Sequence, residues 1–265
     1  MKTNHSATTC LFGAIAGDII GSRHEWKACT DPKFALFSKS SKFTDDSVLT
    51  VAVADAILNQ RGYGEVIVEY ARRYPKAGYG SYFRRWLKAD GVEPYNSFGN
   101  GSAMRVSSVG WAFDTVEDVM REAERSASVT HNHPEGVKGA QAVALAIYLA
   151  RIGVEREEIR QGIETRFGYD LKRTLDEIRP TYQWDSTCPG SVPESIIAFL
   201  ESTDFESAVR NAVLLGGDAD TMAAISGSIA EAYYGGVPSE IEAEVRRRLQ
   251  PELLGIVELF ASLHL

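Results

Sequence analysis

A hydrophobic period of three to four residues recurs along almost the whole chain, and it constrains the fold more than any other feature. Residues 47–59, SVLTVAVADAILN, place Val48, Leu49, Ala52, Val53, Ala56 and Ile57 on one stripe, as an amphipathic helix requires. Residues 136–152, GVKGAQAVALAIYLARI, are alanine-rich and apolar nearly all round, the pattern of a helix buried on several sides. Residues 221–234, TMAAISGSIAEAYY, are full of small side chains that let neighbouring helices approach closely. Stretches 194–200, 206–214, 240–249 and 252–263 also suit helices. Strand-like alternation is scarce and no hairpin signal stands out. The pattern predicts an all-α fold of roughly a dozen helices, at about 11–12 residues each. Glycine and proline punctuate it at GYG 78–80, GNGS 99–102, NHP 132–134, CPGSVP 188–193 and GGDAD 216–220. Segment 76–105, rich in glycine, aromatics and arginine, reads as irregular, and long irregular segments in compact domains are often functional. With no repeat, low-complexity tract or linker, a single domain is expected over 1–265.

Composition narrows the function classes. A chain of 265 residues can bury most of its apolar surface without disulfides. Its three cysteines, Cys10, Cys29 and Cys188, are widely spaced and read as free thiols of a reducing cytosol. A net charge of −8 argues against nucleic-acid binding and against anionic membranes, while leaving room for a local anion site. The apolar run 11–20 is broken by Asp18 and does not make a signal peptide. No segment reaches the roughly 20 apolar residues of a membrane span. A soluble, cytoplasmic protein acting as a monomer is expected.

Two acid clusters carry the chemistry. Thr44-Asp45-Asp46 precedes one predicted helix, and Asp218-Ala219-Asp220-Thr221, after Gly216-Gly217, precedes another. The ordinary explanation of either is helix capping, with acids at the positive helix end. Two helices that both begin with two acids and a threonine are a less ordinary coincidence, and two such starts can face each other. Four carboxylates packed closely would raise one another's pKa, and two divalent cations would remove that conflict. Oxygen-only ligands select hard cations such as Mg²⁺ or Mn²⁺. Rival chemistries lack candidates: there is no HExxH, P-loop, GxGxxG or GxSxG, and the NHP segment at His131 and His133 reads as a turn and helix start.

Two further stretches matter in combination. Gly13, Gly17 and Gly21 are four apart and suit a tightly packed helix, and Glu25 follows in a predicted loop. A loop carboxylate beside a metal centre can orient or deprotonate water. Residues 95–105, YNSFGNGSAMR, offer glycines for close backbone approach, N–H groups that can cradle a diphosphate, and Phe98 as a stacking surface.

Taken in order, GDIIGSRHE, FTDDS, SFGNGSAMR, THNHPEG and LLGGDADT resemble the ADP-ribosylglycohydrolase family over roughly residues 11–235. The resemblance implies a compact single-domain orthogonal helical bundle and a two-metal site, Mg²⁺ first and Mn²⁺ second. It implies Thr44, Asp45 and Asp46 on one side of the metal pair and Asp218, Asp220 and Thr221 on the other. Glu25 matches the family's loop glutamate near the reacting ribose, and either Glu25 or Asp46 would handle the proton. Ser97, Gly99, Asn100 and Gly101 match the segment that holds the diphosphate and proximal ribose. Phe98 would contact the nucleotide, and His131 would lie near the ADP-ribose. Gly78 and Gly80 match a glycine-rich loop of the family more loosely.

The activity implied is hydrolysis of the bond between ADP-ribose and an acceptor, at C1 of the distal ribose, through an oxocarbenium-like transition state. The first acceptor is ADP-ribosyl-arginine on protein, by analogy with the family alone. O-linked ADP-ribose on serine or a small-molecule conjugate, a two-metal phosphohydrolase acting on ADP-ribose, and a non-catalytic ADP-ribose-binding protein are the alternatives. Retention of all six ligand-type residues and of Glu25 argues against the last.

Overall fold

The computed structural model describes residues 8–91 and 93–265, and among these the chain forms fifteen helices and no strand. The first are α1 (Phe12–Gly21), α2 (Asp45–Leu58), α3 (Tyr63–Arg73), α4 (Ser81–Lys88) and the short α5 (Gly101–Met104). α6 (Ser107–Ala112), α7 (Val116–Ser128), α8 (Pro134–Arg151), α9 (Arg156–Phe167) and α10 (Leu175–Ile178) follow. α11 (Cys188–Leu200), α12 (Phe205–Leu215), α13 (Ala219–Tyr234), α14 (Ser239–Arg248) and α15 (Pro251–His264) complete the bundle.

Local chemistry sets the helix starts. α2 begins at Asp45 because the Thr44 hydroxyl accepts from the Asp46 N–H at 3.3 Å, and both acids then lie in the first turn. α8 begins with Pro134 after His133, whose Nδ1 accepts from the Glu135 N–H at 3.1 Å, so NHP is the expected helix start. CPGSVP is not the break that the sequence suggests. Thr187 caps α11 by accepting from the Gly190 N–H, and Pro189 sits in the first turn, where its missing N–H costs nothing. Segment 76–105 is likewise less irregular than expected, since it contains α4 and α5.

One hydrophobic core runs from Cys10 to Phe260, and α13 passes through its middle against α1, α8, α11 and α12. Every residue of α1 is buried. The two helices cross antiparallel with almost no side chain between them. A Cβ on Gly13, Gly17 or Gly21 would overlap the backbone carbonyl oxygen of Gly227, Ala223 or Ala219, respectively. At the far end of this seam Glu231 accepts from the Gly13 N–H at 2.9 Å and from the Thr9 hydroxyl at 2.8 Å, closing the start of α1. At the near end lie the loop carrying Glu25 and the first turn of α13. Among the described residues no helix is long and apolar enough to cross a membrane.

The seam predicts opposite effects for two glycine substitutions. Gly17→Ala puts a methyl group into backbone that can yield only by moving a helix, so it should cost about 1–3 kcal/mol or more. Gly255→Ala, on α15 with nothing within 4 Å of the added carbon, should gain about 0.5–1 kcal/mol from helix propensity. Denaturant midpoints measure both, and equal effects would remove the seam from the folding argument.

Candidate active site

The start of α13 is built to present acids. Gly216 and Gly217 take φ of 82° and 74°, a left-handed pair that turns the chain from α12 into α13. Asp218 occupies the N-cap position but makes no side-chain cap hydrogen bond. Its carboxylate instead accepts from the Asn100 side-chain amide at 2.8 Å. Glu25, Asp218 and Asp220 bring one carboxylate oxygen each to within 4.8 Å of one another. The Thr221 hydroxyl donates to Asp46 at 2.9 Å, tying the start of α13 to the start of α2. The two acid clusters therefore meet, as their composition suggests. Asp45 and Asp46 flank the Glu25–Asp218–Asp220 trio.

Asp18 completes the arrangement, and the sequence reading missed it. It lies fully buried on α1 and accepts from the Thr44 N–H at 2.9 Å, the Thr44 hydroxyl at 2.8 Å and the Ser47 N–H at 3.1 Å, and also from the Ser47 hydroxyl. Asp18 thus holds the first turn of α2 against α1. The Thr44 hydroxyl donates to Asp18 and accepts from the Asp46 N–H, which leaves one lone pair of its oxygen on the side of the acids. In the sequence Asp18 looks like an interruption of an apolar run. An acid fixed between small residues of a buried helix was the available signal.

Burial and mutual repulsion raise all of these carboxyls. Desolvation is the largest cause at Asp45, pushed up to about 7, with Asp18, Asp218 and Glu25 adding to it. Glu25 is pushed up to about 6 by desolvation and then by Asp218, partly offset by a hydrogen bond from the Trp26 side chain. Asp46 and Asp220 are raised well above the carboxylate range by burial and neighbouring acids. Asp18 and Asp218 are raised by burial, against the hydrogen bonds they accept. None of Asp18, Asp45, Asp46, Asp218 and Asp220 joins a described ion pair with Lys or Arg. Crowded oxygen donors without a protein cation fit divalent metal ions.

A glycine-rich cradle adjoins the acids. Asn100, which holds Asp218, accompanies Gly99 and Gly101 at the entry to α5, and this segment is stitched to the start of α11. The Cys188 N–H donates to the Phe98 carbonyl and the Asn100 N–H to the Ser186 carbonyl, each at 2.8 Å. Ser97 accepts from the Gly99 N–H at 3.1 Å and so shapes the turn. Phe98 is 46% exposed and tilts against the His133 ring.

His131 lies behind this cradle. Burial, and then Arg105, hold it well below its usual pKa, so the ring is neutral. The buried Arg105 donates to the Thr130 hydroxyl at 2.9 Å, and that hydroxyl lies 2.6 Å from His131 Nδ1. Nε2 is the ring atom nearest Gly101, 3.0 Å from where a Cβ there would sit. His131 therefore presents its Nε2 toward the cradle.

The body is all-α and gathers carboxylates from α1, α2, the start of α13 and one loop beside a glycine-rich segment. The chain belongs to the ADP-ribosylglycohydrolase family, whose model matches residues 2–264, and with that membership it is a hydrolase of glycosidase type. It is 29% identical to ADP-ribosylhydrolase ARH3 of Homo sapiens, over 85% of this chain and 84% of that protein. It is 26% identical to ADP-ribosylarginine hydrolase Tri1 of Pseudomonas putida, over 76% of this chain and 62% of that one. A solved structure described as an ADP-ribosylglycohydrolase-related protein complex shares the fold, with a TM-score of 0.71, 24% identity and 96% of each chain covered.

The raised carboxyls set a pH dependence for the metal-free protein. A group such as Asp45, whose folded-state pKa is lifted from 3.8 to about 7, stabilises the fold fully only below its ordinary pKa, and that contribution is lost as pH rises through about 7. In chelator, the melting temperature should fall across this window. Excess Mg²⁺ or Mn²⁺ should remove most of the fall, adding about 2.7 kcal/mol per site at a hundredfold excess over Kd. A flat profile that cation leaves unchanged would show that these acids do not form a metal centre.

Proposed function

We propose that this protein hydrolyses the glycosidic bond between ADP-ribose and a modified acceptor, with ADP-ribosyl-arginine on protein as the first acceptor, and releases ADP-ribose. The observation that carries the reading is the convergence of Glu25, Asp218 and Asp220 within 4.8 Å, with Asp218 held by Asn100 of the glycine-rich cradle. Acids and cradle share one wall, as a ligand with a diphosphate at one end and a reacting ribose at the other requires. The name of the Pseudomonas putida relative supports arginine, and serine-linked ADP-ribose is the alternative acceptor.

Asp45, Asp46, Asp218 and Asp220, with Glu25 in reach, would hold two divalent cations, Mg²⁺ first and Mn²⁺ second. Bound there, the cations would supply Lewis-acid polarisation of the ribose and of water. Thr44 and Thr221 would complete this ligand set, their hydroxyls donating at the same time to Asp18 and Asp46 respectively. Ser97, Gly99, Asn100 and Gly101 would hold the diphosphate and proximal ribose, His131 turns its Nε2 toward them, and Phe98 offers an exposed ring to the nucleotide. Proton transfer falls to Glu25 in preference to Asp46. Asp46 is buried and already accepts from Thr221, whereas Glu25 is only part-buried, on a loop.

A panel of peptides ADP-ribosylated on Arg or Ser, followed for release of intact ADP-ribose with Mg²⁺, with Mn²⁺ and with chelator, tests the reaction and its acceptor. Phosphate or nucleoside monophosphate as product would replace the glycohydrolase reading with phosphohydrolysis. Glu25→Gln should keep ADP-ribose binding and lower kcat by about 10²–10⁴-fold. Unchanged turnover in that variant would move the proton to Asp46. Gly101→Val should weaken ADP-ribose binding in calorimetry by crowding His131, and normal affinity would show the cradle to be a plain turn.

A further inference from the structure

Two tryptophans stand in the open at the edge of the acid cluster. Trp26 is 80% exposed and Trp184 is 48% exposed, yet their rings stack, with centroids 5.7 Å apart and planes 21° apart. Side chains this large and apolar are ordinarily buried. The two residues come from segments of different character. Trp184 adjoins a post that is tied down: the Thr187 N–H donates to Asp185 at 2.7 Å, and Ser186 and Cys188 are bonded into the 98–100 strip. Trp26 lies in the loop after α1, where the backbone hydrogen bonds described for residues 23–28 are local, His24 to Gly21 and Lys27 to His24. Glu25 is its immediate chain neighbour.

We infer that the Trp26–Trp184 stack is a latch that positions Glu25 over the acid cluster. Trp184 is the fixed half and Trp26 the moving half. Stacking brings the loop onto the post, and Glu25, next to Trp26 in the chain, is fixed with it beside Asp218 and Asp220. Both tryptophans are positioning residues and act through Glu25. The inference rests on the glycohydrolase reading for its kinetic consequence, and on the stacked geometry for its structural one.

The test compares Trp184→Ala, Trp184→Phe, Trp26→Ala and the Trp26→Ala/Trp184→Ala pair with the wild type, each as the full chain with saturating Mg²⁺. Exposed positions make misfolding avoidable, and circular dichroism checks it. The wild type should show the exciton couplet of stacked indoles, and either alanine variant should lose it. Carbodiimide labelling of Glu25, read by mass spectrometry, should rise several-fold in Trp184→Ala, a substitution that leaves Glu25 and its chain neighbours unchanged. On an ADP-ribosylated peptide, Trp184→Ala should lose roughly tenfold in kcat with KM within about twofold, since small misplacements of a reacting group cost this much or more. Trp184→Phe should restore most of the loss, and the double variant should be no worse than the worse single one. Absence of the couplet in the wild type, or its loss without any change in Glu25 labelling, would overturn the latch. A raised KM with unchanged kcat would also overturn it and make the pair an acceptor-docking surface. If the wild type released no ADP-ribose at all, the glycohydrolase reading would fall, while the couplet and labelling would still decide the latch.

Discussion

The approach of α1 to α13 is the contact on which the site depends. Glycines on one helix face Ala219, Ala223 and Gly227 on the other, so the backbones meet directly and Asp18 on α1 is carried up to the start of α13. That placement then propagates. Asp18 is fixed on α1, and it accepts from the N–H groups of Thr44 and Ser47, which places the start of α2. Thr221, in the first turn of α13, donates back to Asp46 in the first turn of α2. The path from α13 through α1 and Asp18 to α2 returns to α13 within a few ångströms of where it began. A closed circuit of this kind holds carboxylates together against their own repulsion, which a looser packing of amphipathic helices would not.

That repulsion is large because the acids are buried as well as crowded. Carboxylates taken out of water rise in pKa even singly, and here each also faces the others. The positive ends of α2 and α13 offset part of the cost, as do Asn100 on Asp218 and Thr221 on Asp46. The arginines of the molecule are engaged elsewhere, many in exposed pairs one helical turn apart, such as Arg61–Glu65 and Arg246–Glu242, which contribute little stability. The protein thus concentrates unneutralised charge at one place and spends its cations on the surface. A centre so arranged is stabilised most by ligands of high positive charge and small size.

Much of this was legible in the chain, because helix-forming chemistry is local. The stripe over 47–59 and the small residues of 221–234 gave α2 and α13 their lengths, and the two threonine-and-acid starts marked the site. What escaped depended on contacts between distant segments. Asp18 has meaning only once α2 is beside it. That the Asn100 amide also holds Asp218 was not readable, since the pairing needs α5 and α13 in contact. Trp26 and Trp184 carry no pattern in the sequence, since nothing local announces that two loops will meet. CPGSVP misled for the opposite reason: proline is a local signal for a break, but Pro189 falls in the first turn of α11, where it breaks nothing, and the helix continues through Pro193.

The acids divide into a fixed set and a placed one. Asp18, Asp46, Asp218 and Asp220 are buried on helices or at their first turns, and none can shift without dragging its helix. Such groups suit a task that demands constant geometry, namely holding charge. Glu25 differs in each respect that matters for moving a proton. It stands on a loop, it is part-buried, and its carboxyl is raised only to about 6, where both protonation states are within reach near neutral pH. A loop residue can approach a ligand and withdraw from it, but it lacks the rigidity that the seam gives the others. The chain needs some other contact to define where Glu25 comes to rest, and the neighbouring stacked tryptophans are the contact that the structure provides there.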